Sequence, residues 1–211
     1  MCRECVESLA ALAAGSSRCA VCGRFAVVSL AGFCDECPGQ SWPFVFNRAS
    51  FPYEGRARET VHQLKYHGRR HLASFMAGLM LKTFQAEEGY LKAELLVPVP
   101  MGRERLRERR FNQAELLAAA LGGLSGLPAA KVLVRARETP PQTGLSRAQR
   151  RRNMAGAFAV ASRSESFVRG RTVVVVDDVF TTGSTMASAA RALKRAGAGR
   201  VLGLTFAGGN R

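Results

Sequence analysis

The second half of the chain alternates short apolar runs with helical patterns. From about residue 94, the apolar runs of strand length are "ELLVPVP", "AKVLVRA", "GAFAVAS", "RTVVVV" and "RVLGLTFA". Two segments between them have helical spacing: "NQAELLAAALGGL", which Gly122 and Gly123 would close, and "STMASAARALKRAGA", which Gly197 would close. Strands that alternate with helices predict an α/β fold with a mostly parallel sheet flanked by helices. The valines at 173–176 are typical of a strand buried on both faces.

The preceding segment predicts one strand and two helices. "NRASFPY" has the pattern of a strand. "RARETVHQLKYHG" and "RHLASFMAGLMLKTF" carry apolar residues at helical spacing, Val61 and Leu64 among them. His67 and His71 are four positions apart and could share a helix face, but no third metal ligand is in sight, so we interpret them and His62 as solvated side chains. "PGQSWPF" indicates a connector near residues 38–46, which separates a module at 1–40 from a domain at 47–211.

Composition and charge narrow the class of protein. Hydrophobic residues make up 47% of 211 residues, enough for a folded core, and no apolar run reaches membrane-spanning length. "MCRECVES" lacks the pattern of a secretory signal, so we expect a cytoplasmic protein without membrane insertion. The net charge is +15, and residues 101–152 hold twelve basic against four acidic side chains. This favours a polyanionic partner, either nucleic acid or a phosphorylated small molecule; a solubilising surface is the alternative.

All six cysteines lie in the first 37 residues, as three CxxC pairs. In a cytosolic chain such pairs indicate zinc, because each tight turn can aim two thiolates at one ion and two pairs complete a tetrahedron. We expect Cys19, Cys22, Cys34 and Cys37 to form one closed structural zinc site. Cys2 and Cys5 remain open between a second metal site, a redox pair and idle thiols.

The stretch "VVVVDDVFTTGST", residues 173–185, carries the candidate chemistry. Asp177 and Asp178 follow a buried strand, at the end where open parallel sheets bind ligands. Two carboxylates can accept hydrogen bonds from adjacent ribose hydroxyls. Hydroxyls, Gly183 and the start of a helix then form a cradle for a phosphate monoester. The stretch therefore predicts a ribose 5-phosphate pocket.

Other phosphate and metal motifs fit less well. The GxxxxGK[ST] loop of nucleotide triphosphatases and the dinucleotide GxGxxG pattern are both absent from this stretch. A receiver-like magnesium site would need a phosphorylatable aspartate on another strand, and none is evident. A simple capped helix after a buried strand would explain Ser184 but not two adjacent acids.

This stretch resembles the motif of the type I phosphoribosyltransferases, which bind 5-phosphoribosyl-1-pyrophosphate (PRPP) and Mg²⁺. Together with "LLVPVP…RERLRERRFNQAELLA", "TPPQTGLSRAQRRRN" and the cysteine module, nearly the whole chain resembles the ComF family of competence-associated proteins. That family pairs zinc ribbons with a phosphoribosyltransferase domain. The resemblance implies a hood-like segment at 47–93 and a core at 94–211.

The resemblance also implies residue roles. Asp177 and Asp178 would hold the ribose hydroxyls and serve as the catalytic pair. The implied PRPP-binding set is Asp177, Asp178, Val179, Thr181, Thr182, Gly183, Ser184 and Thr185. The turn after residues 97–100 would be the pyrophosphate loop, with Pro100, Arg103, Arg105 and Arg109, because arginine forks suit phosphate oxygens. Residues 138–153 have the composition of a mobile flap that closes with Arg147 or Arg150; a surface loop without a gating role is the alternative.

The chain departs from the family pattern twice. ComF-like proteins commonly carry four CxxC pairs, whereas this sequence has three, which implies a decayed second site or an upstream start. Arg110 stands where a glycine is usual, so a tight turn in the pyrophosphate loop would be reshaped.

The sequence motifs and the family resemblance predict three alternative functions. The first is a cytosolic competence factor that handles incoming single-stranded DNA in natural transformation, with a helicase-like ATPase partner. The second is an active phosphoribosyltransferase that uses PRPP and Mg²⁺, with an acceptor that the sequence does not name. The third is a zinc-ribbon interaction module on a pseudoenzyme scaffold. The sequence leaves the oligomeric state open.

Overall fold

The computed structural model describes residues 3–14, 17–137 and 146–209. The first elements are helix α1 (Arg3–Ala13), strand β1 (Asn47–Pro52), helices α2 (Gly55–Tyr66) and α3 (Leu72–Gln85), and strand β2 (Leu95–Pro98). Next come α4 (Arg103–Arg109), α5 (Gln113–Ser125), β3 (Leu133–Arg135), α6 (Arg147–Met154) and β4 (Phe158–Val160). The chain continues with α7 (Glu165–Val168), β5 (Thr172–Phe180), α8 (Ser184–Arg195) and β6 (Arg200–Gly208).

The main sheet has four strands in the order β1-β6-β5-β2, and each neighbouring pair is parallel. Val173 stands between Leu95 of β2 and Val201 of β6. All four valines at 173–176 are fully buried. Because side chains alternate along a strand, Val173 and Val175 pack on one face while Val174 and Val176 pack on the other. The predicted parallel α/β fold is confirmed.

Helices cover both faces of this sheet. On the face of Val173 and Val175, the buried residues include Ala189 and Leu193 of α8. On the opposite face they include Leu64 of α2, together with side chains of α3 and α5. Helix α8 ends at Arg195 with Ala196 as its C-cap, and Gly197 follows with a φ of 89°, as the sequence predicts.

Two sequence-based expectations about the core segment are wrong. Strands β3 and β4 form a separate antiparallel pair instead of joining the main sheet. Helix α5 runs through Gly122 and Gly123 and ends at Ser125, with Gly126 as its C-cap at a φ of 75°. Gly122 serves close packing, because a Cβ there would lie 2.8 Å from the Leu127 carbonyl oxygen.

The cysteine segment is attached to the edge of the main sheet. The backbone N–H of Asn47 in β1 donates to the Val21 carbonyl oxygen at 2.8 Å, and that of Ala49 donates to Gly23 at 3.3 Å. The Asn47 side chain adds a hydrogen bond of 2.9 Å to the Cys22 carbonyl oxygen. Gly23 permits this approach, since a Cβ there would lie 2.1 Å from the Asn47 carbonyl oxygen. The hydrogen bonds fix the position of the cysteine loops relative to the sheet.

Candidate functional site

A crevice of about 620 Å³ opens at the carboxyl ends of the adjacent strands β2 and β5. This is the edge where open parallel sheets place their ligand sites. The sequence-predicted residues that line the crevice are Pro100, Arg105, Arg109, Asp177, Asp178, Val179, Thr181 and Thr185. The fold therefore brings together acids from β5, the loop before α8 and arginines from α4.

Asp177 and Asp178 differ in their surroundings. Asp178 is buried, and its Oδ2 atom lies 2.8 Å from Nζ of Lys65, which projects from the last turn of α2. The Asp178 backbone N–H donates to Oδ1 of Asp177 at 2.9 Å. The Asp178 carboxylate is thus held by an ion pair with Lys65, and the Asp177 carboxylate by a hydrogen bond from the Asp178 backbone N–H.

Burial and mutual repulsion shift the protonation of this group. Burial, and then the charge of Asp178, raise the pKa of Asp177 from 3.8 to about 7. Burial alone would lower the pKa of Lys65, but the Asp178 carboxylate beside it raises the pKa above its ordinary value. Lys65 therefore stays charged, while Asp177 can change its protonation near neutral pH.

The loop between β5 and α8 forms the second wall. Gly183 precedes the helix with a φ of 75°, and a Cβ there would lie 2.8 Å from the Trp42 ring and 2.6 Å from Phe180. Thr182 is buried, and its Oγ1 lies 2.9 Å from Ser184 Oγ. A smaller concavity beside the crevice is lined by Asp177, Thr181, Gly183, Ser184 and Thr185, among others. The first turn of α8 directs its backbone N–H groups and the positive end of its dipole toward this loop.

Helix α4 divides its arginines between the crevice and solvent. Arg105 and Arg109 line the crevice, whereas Arg103 and Arg107 are exposed and do not line it. Positions four apart share a helix face, which explains the two pairs. The Arg109 guanidinium lies over the Tyr66 ring at 4.9 Å from its centroid, so this arginine is held against α2.

The turn after α4 has a left-handed residue that is not glycine. Arg110 has a φ of 61°, and it is the one non-glycine residue with positive φ in the described ranges. Such a conformation is strained for a side chain with a Cβ. The glycine expected here from the family pattern would relieve this strain. Asn112 then starts α5 by capping Ala114 N–H at 3.0 Å, and it donates to the Val99 carbonyl oxygen at 2.9 Å.

Other lining residues were missed by the sequence analysis. They are Tyr53, Lys65, Tyr66, Val99, Met101, Gly102, Glu108, Asn112, Gln113, Arg135, Met154 and Phe158. Lys65 could have been found, because it lies four positions after Val61 on the apolar face of a predicted helix, where a lysine is unusual. Arg135 and Phe158 lie in strands β3 and β4, and the hydrophobic periodicity did not predict that these two strands pair with each other.

Some predicted residues fall outside what the structure describes. Cys2 lies outside the described ranges, as do residues 138–145 of the expected flap. Arg147 and Arg150 fall in helix α6, but their side chains are not among those described. The role of the flap stays a prediction.

Four cysteines form a candidate metal centre. The Sγ atoms of Cys19, Cys22, Cys34 and Cys37 all lie within 4.8 Å of one another, and all four residues are buried. Cys22 Sγ and Cys34 Sγ are 3.7 Å apart. A tetrahedral zinc ion with Zn–S bonds of about 2.3 Å separates its sulfur ligands by about 3.8 Å. The donor set therefore fits a structural zinc ion, with no position left for substrate. Among the described residues, Cys5 lies in α1 and is not part of this group.

One buried arginine lies against these sulfurs. Arg24 Nε is 3.5 Å from Cys22 Sγ, and its terminal nitrogen is 3.8 Å from Cys34 Sγ. The same guanidinium pairs with Glu36. Burial, followed by the charge of Cys22, raises the pKa of Cys37, so the thiolate form of Cys37 is favoured only with a cation beside it.

Comparisons with known proteins agree with this geometry. A family model described as the phosphoribosyl transferase domain matches residues 115–209, a range that includes Asp177, Asp178 and the loop before α8. The chain is 39% identical over 145 residues to a DNA utilization protein, YhgH, of Escherichia coli, which covers 67% of this chain and 62% of that protein. It is 38% identical over 105 residues to competence protein F of Haemophilus influenzae, covering 49% of this chain and 45% of that one.

A Bacillus subtilis relative and two solved structures extend the comparison. Competence protein ComFC of Bacillus subtilis is 29% identical over 151 residues, covering 72% of this chain and 59% of that protein. The allosteric regulatory enzyme of purine biosynthesis is 21% identical with a TM-score of 0.42, covering 64% of this chain and 26% of that one. Phosphoribosylpyrophosphate synthetase of Mycobacterium smegmatis is 23% identical with a TM-score of 0.34, covering 60% of this chain and 32% of that one.

The resemblance to the ComF family and to the type I phosphoribosyltransferase fold is confirmed. The chain spans about 62% of the length of the DNA utilization proteins that it matches. In the described part of the chain, no helix has the length and apolar character needed to cross a bilayer.

Proposed function

We propose that this chain, a relative of the competence and DNA utilization proteins, binds PRPP or a related nucleotide and handles single-stranded DNA during natural transformation. One observation carries the proposal: the acid pair, the loop before α8 and two arginines of α4 line a single crevice. Each of these groups suits a different part of PRPP. We place the protein in the cytoplasm, where internalised DNA and PRPP would both be available.

The ribose 5-phosphate half of the ligand would lie against β5 and α8. Asp177 and Asp178 would accept hydrogen bonds from the ribose hydroxyls. Backbone N–H groups and hydroxyls of residues 181–185 would donate to the 5′-phosphate, which the positive end of α8 also favours. Gly183 lets the loop turn directly over Trp42 and Phe180.

The pyrophosphate half would lie against α4. Arg105 and Arg109 can each donate two parallel hydrogen bonds to phosphate oxygens. The Tyr66 ring holds the Arg109 guanidinium in place, which lowers the entropy that is lost on binding. When bound with PRPP, Mg²⁺ would supply positive charge that stabilises the departing pyrophosphate.

Active phosphoribosyl transfer is the second candidate, and the position of Arg105 and Arg109 favours it. In this reaction an acceptor forms a bond to the anomeric carbon while the bond to pyrophosphate breaks, and the acceptor's proton leaves to solvent. The two arginines would stabilise negative charge on the leaving pyrophosphate more strongly in the transition state than before it. The aromatic and apolar walls from Tyr66 and Phe158 offer a surface for an acceptor ring.

Binding of single-stranded DNA would use the solvent side of the same helix. Arg103 and Arg107 are exposed, and the surrounding chain is strongly basic. Contacts to phosphates without base readout predict binding that is weakly selective for sequence and falls steeply with salt.

A helicase-like ATPase partner would contact the cysteine segment. Between the two CxxC turns, Val27 and Leu30 are exposed, at 86% and 111% of their reference areas. This near-neutral loop suits a protein contact better than a DNA contact.

The test for ligand binding is calorimetric titration of PRPP with Mg²⁺ into the full chain. The Asp177→Asn/Asp178→Asn double variant should lose at least about a hundredfold in affinity, because two hydrogen bonds to charged groups are removed. Asp35→Asn is the matched control, since Asp35 is exposed and is the one other aspartate of the chain. Equal affinity of the double variant and wild type would refute the assigned ribose site.

The test for DNA binding contrasts the two faces of α4. Arg103→Ala/Arg107→Ala should weaken single-stranded DNA binding in anisotropy titrations and leave PRPP affinity unchanged. Arg105→Ala/Arg109→Ala should weaken PRPP binding. DNA binding that is insensitive to salt, or equally reduced by both pairs, would contradict a DNA surface separate from the crevice.

A further inference from the structure

Among the described residues that line the crevice, Lys65 is the one lysine, and it comes from outside the matched phosphoribosyl transferase segment. It projects from α2, which packs on the face of the sheet opposite to α8. Only 16% of its side chain is exposed, against 5% for Asp178. The sheet therefore holds a buried ion pair between a helix and the strand that carries the acid pair.

The charge count at this point is informative. Two adjacent carboxylates with no cation would repel each other strongly in a buried site, and protein sites of this kind usually recruit a metal ion or a proton. Here the ammonium of Lys65 lies 2.8 Å from Asp178 and balances one of the two charges. The Asp177 carboxylate remains, oriented by the Asp178 backbone N–H at 2.9 Å.

We propose that Lys65 is a positioning residue that takes the place of a divalent cation at the acid pair. By holding Asp178, it keeps both carboxylates available as acceptors for neutral hydroxyl groups. It also makes the pair a poor metal site, so a divalent cation enters the crevice only together with the pyrophosphate of the ligand. The part that concerns ribose rests on the proposed function; the exclusion of a free cation does not.

The test measures Mn²⁺ binding by electron paramagnetic resonance, with Mn²⁺ as the probe for Mg²⁺. Wild type should bind Mn²⁺ weakly in the absence of other ligands. Lys65→Met should bind it more tightly, on the order of tenfold, because the carboxylates lose their internal cation. Lys65→Arg should behave like wild type. The matched control is Lys131→Met, which removes an exposed lysine that pairs with Glu115 outside the crevice.

Addition of inorganic pyrophosphate completes the experiment. Wild type should bind Mn²⁺ with pyrophosphate much more tightly than Mn²⁺ alone. Equal Mn²⁺ affinity of wild type and Lys65→Met would overturn the proposal. If PRPP fails to bind wild type while Lys65→Met still gains Mn²⁺ affinity, the proposed function fails and the counter-ion role stands.

A double-mutant cycle distinguishes charge balance by Lys65 from a purely structural role of this side chain. Removal of Lys65 leaves Asp178 buried without a counter-ion, so Lys65→Met should lower the thermal stability. Lys65→Met/Asp178→Asn should recover most of that loss, because the neutral amide needs no cation. If the double variant is as unstable as Lys65→Met, the lysine acts through packing and the proposal is wrong.

Discussion

The cysteine centre and the acid pair are both clusters of anionic groups, but the protein balances their charges differently. At the acid pair, Lys65 contacts one of two carboxylates directly. At the cysteine centre, the nearby cation Arg24 lies 3.5 Å or more from the sulfurs of Cys22 and Cys34 and also pairs with Glu36. Four thiolates exceed what one shared arginine can balance, so the cysteine centre depends on an external cation. The acid pair does not, which leaves its oxygens free for hydroxyl groups.

The largest expected effect comes from breaking the cysteine centre. Cys34→Ser should abolish stoichiometric zinc binding and unfold the segment around residues 17–40, because structural zinc contributes much of the folding free energy of such modules. Zinc content by metal analysis, together with thermal unfolding, measures this. Cys5→Ser is the control, and it should retain the zinc content of wild type. Full zinc content in Cys34→Ser would contradict the four-cysteine site.

Replacement of Arg24 at the cysteine centre should lower the free energy of unfolding by less than the loss of a cysteine does. Arg24→Met leaves Glu36 without its partner and removes two contacts to sulfur. We expect a loss of about 2 kcal/mol in the free energy of unfolding, the cost of an unpaired, largely buried charged group. Denaturant unfolding with zinc present measures the loss. If Arg24→Met also lost all zinc, the arginine would be as essential as the cysteines and the comparison would have to be revised.

The acid pair should respond to pH near neutrality. The folded-state pKa of Asp177 is raised to about 7, above its unfolded value of 3.8, so the folded protein binds an extra proton between these pH values. The free protein therefore loses stability as the pH rises through this window. The proposed PRPP site uses the Asp177 carboxylate as a hydrogen-bond acceptor, so PRPP affinity should rise by up to about tenfold per pH unit below pH 7 and then level off.

Calorimetric titrations of PRPP from about pH 5.5 to 8.5 test this dependence. Asp177→Asn removes the titrating group, and its weaker affinity should be flatter with pH after allowance for the ligand's own phosphate titration. An unchanged pH profile in Asp177→Asn would mean that another group controls binding.

The smallest expected effect concerns Arg110, in the turn between α4 and α5. Arg110→Gly removes the strain of a left-handed residue, and we expect a gain of about 1 kcal/mol in stability. The variant keeps the hydrogen bond that Arg70 donates to the backbone carbonyl oxygen of residue 110, and the gain is limited by the larger conformational entropy of glycine in the unfolded chain. Chemical unfolding of both proteins measures the difference. A destabilised Arg110→Gly would show that the arginine side chain itself holds the turn.

The sequence predicted the parts of the site that are contiguous in the chain. The valine run, the acid pair and the start of α8 follow one another, so local pattern was sufficient to place them at a strand end. The four cysteines were predicted because CxxC spacing is itself geometric. Lys65 was not predicted, since its meaning depends on the packing of α2 across β5, more than a hundred residues away in the chain.

Errors in the fold have a similar origin. Strands β3 and β4 have the composition of strands of the main sheet. Only three residues of each strand form ladder pairs, and their partners are in the other of these two strands. Gly122 and Gly123 resemble a helix end, but close packing of Gly122 against the Leu127 carbonyl keeps the helix intact to Ser125. Tertiary contacts of this kind override local propensity.

The contact between Trp42 and Gly183 gives the molecule a natural optical reporter. Trp42 is the single tryptophan of the chain, and its indole ring lies 5.0 Å from Phe44 and 6.4 Å from Phe180 between ring centroids. Phe44 and Phe180 belong to the same buried cluster as the four cysteines. Tryptophan fluorescence therefore comes from Trp42 alone, which lies between the four cysteines and the loop before α8. Both ligand binding and metal removal can therefore be followed without a label. A ligand that binds at the loop before α8 should change the emission intensity of Trp42. Metal removal should shift its emission toward that of a hydrated indole.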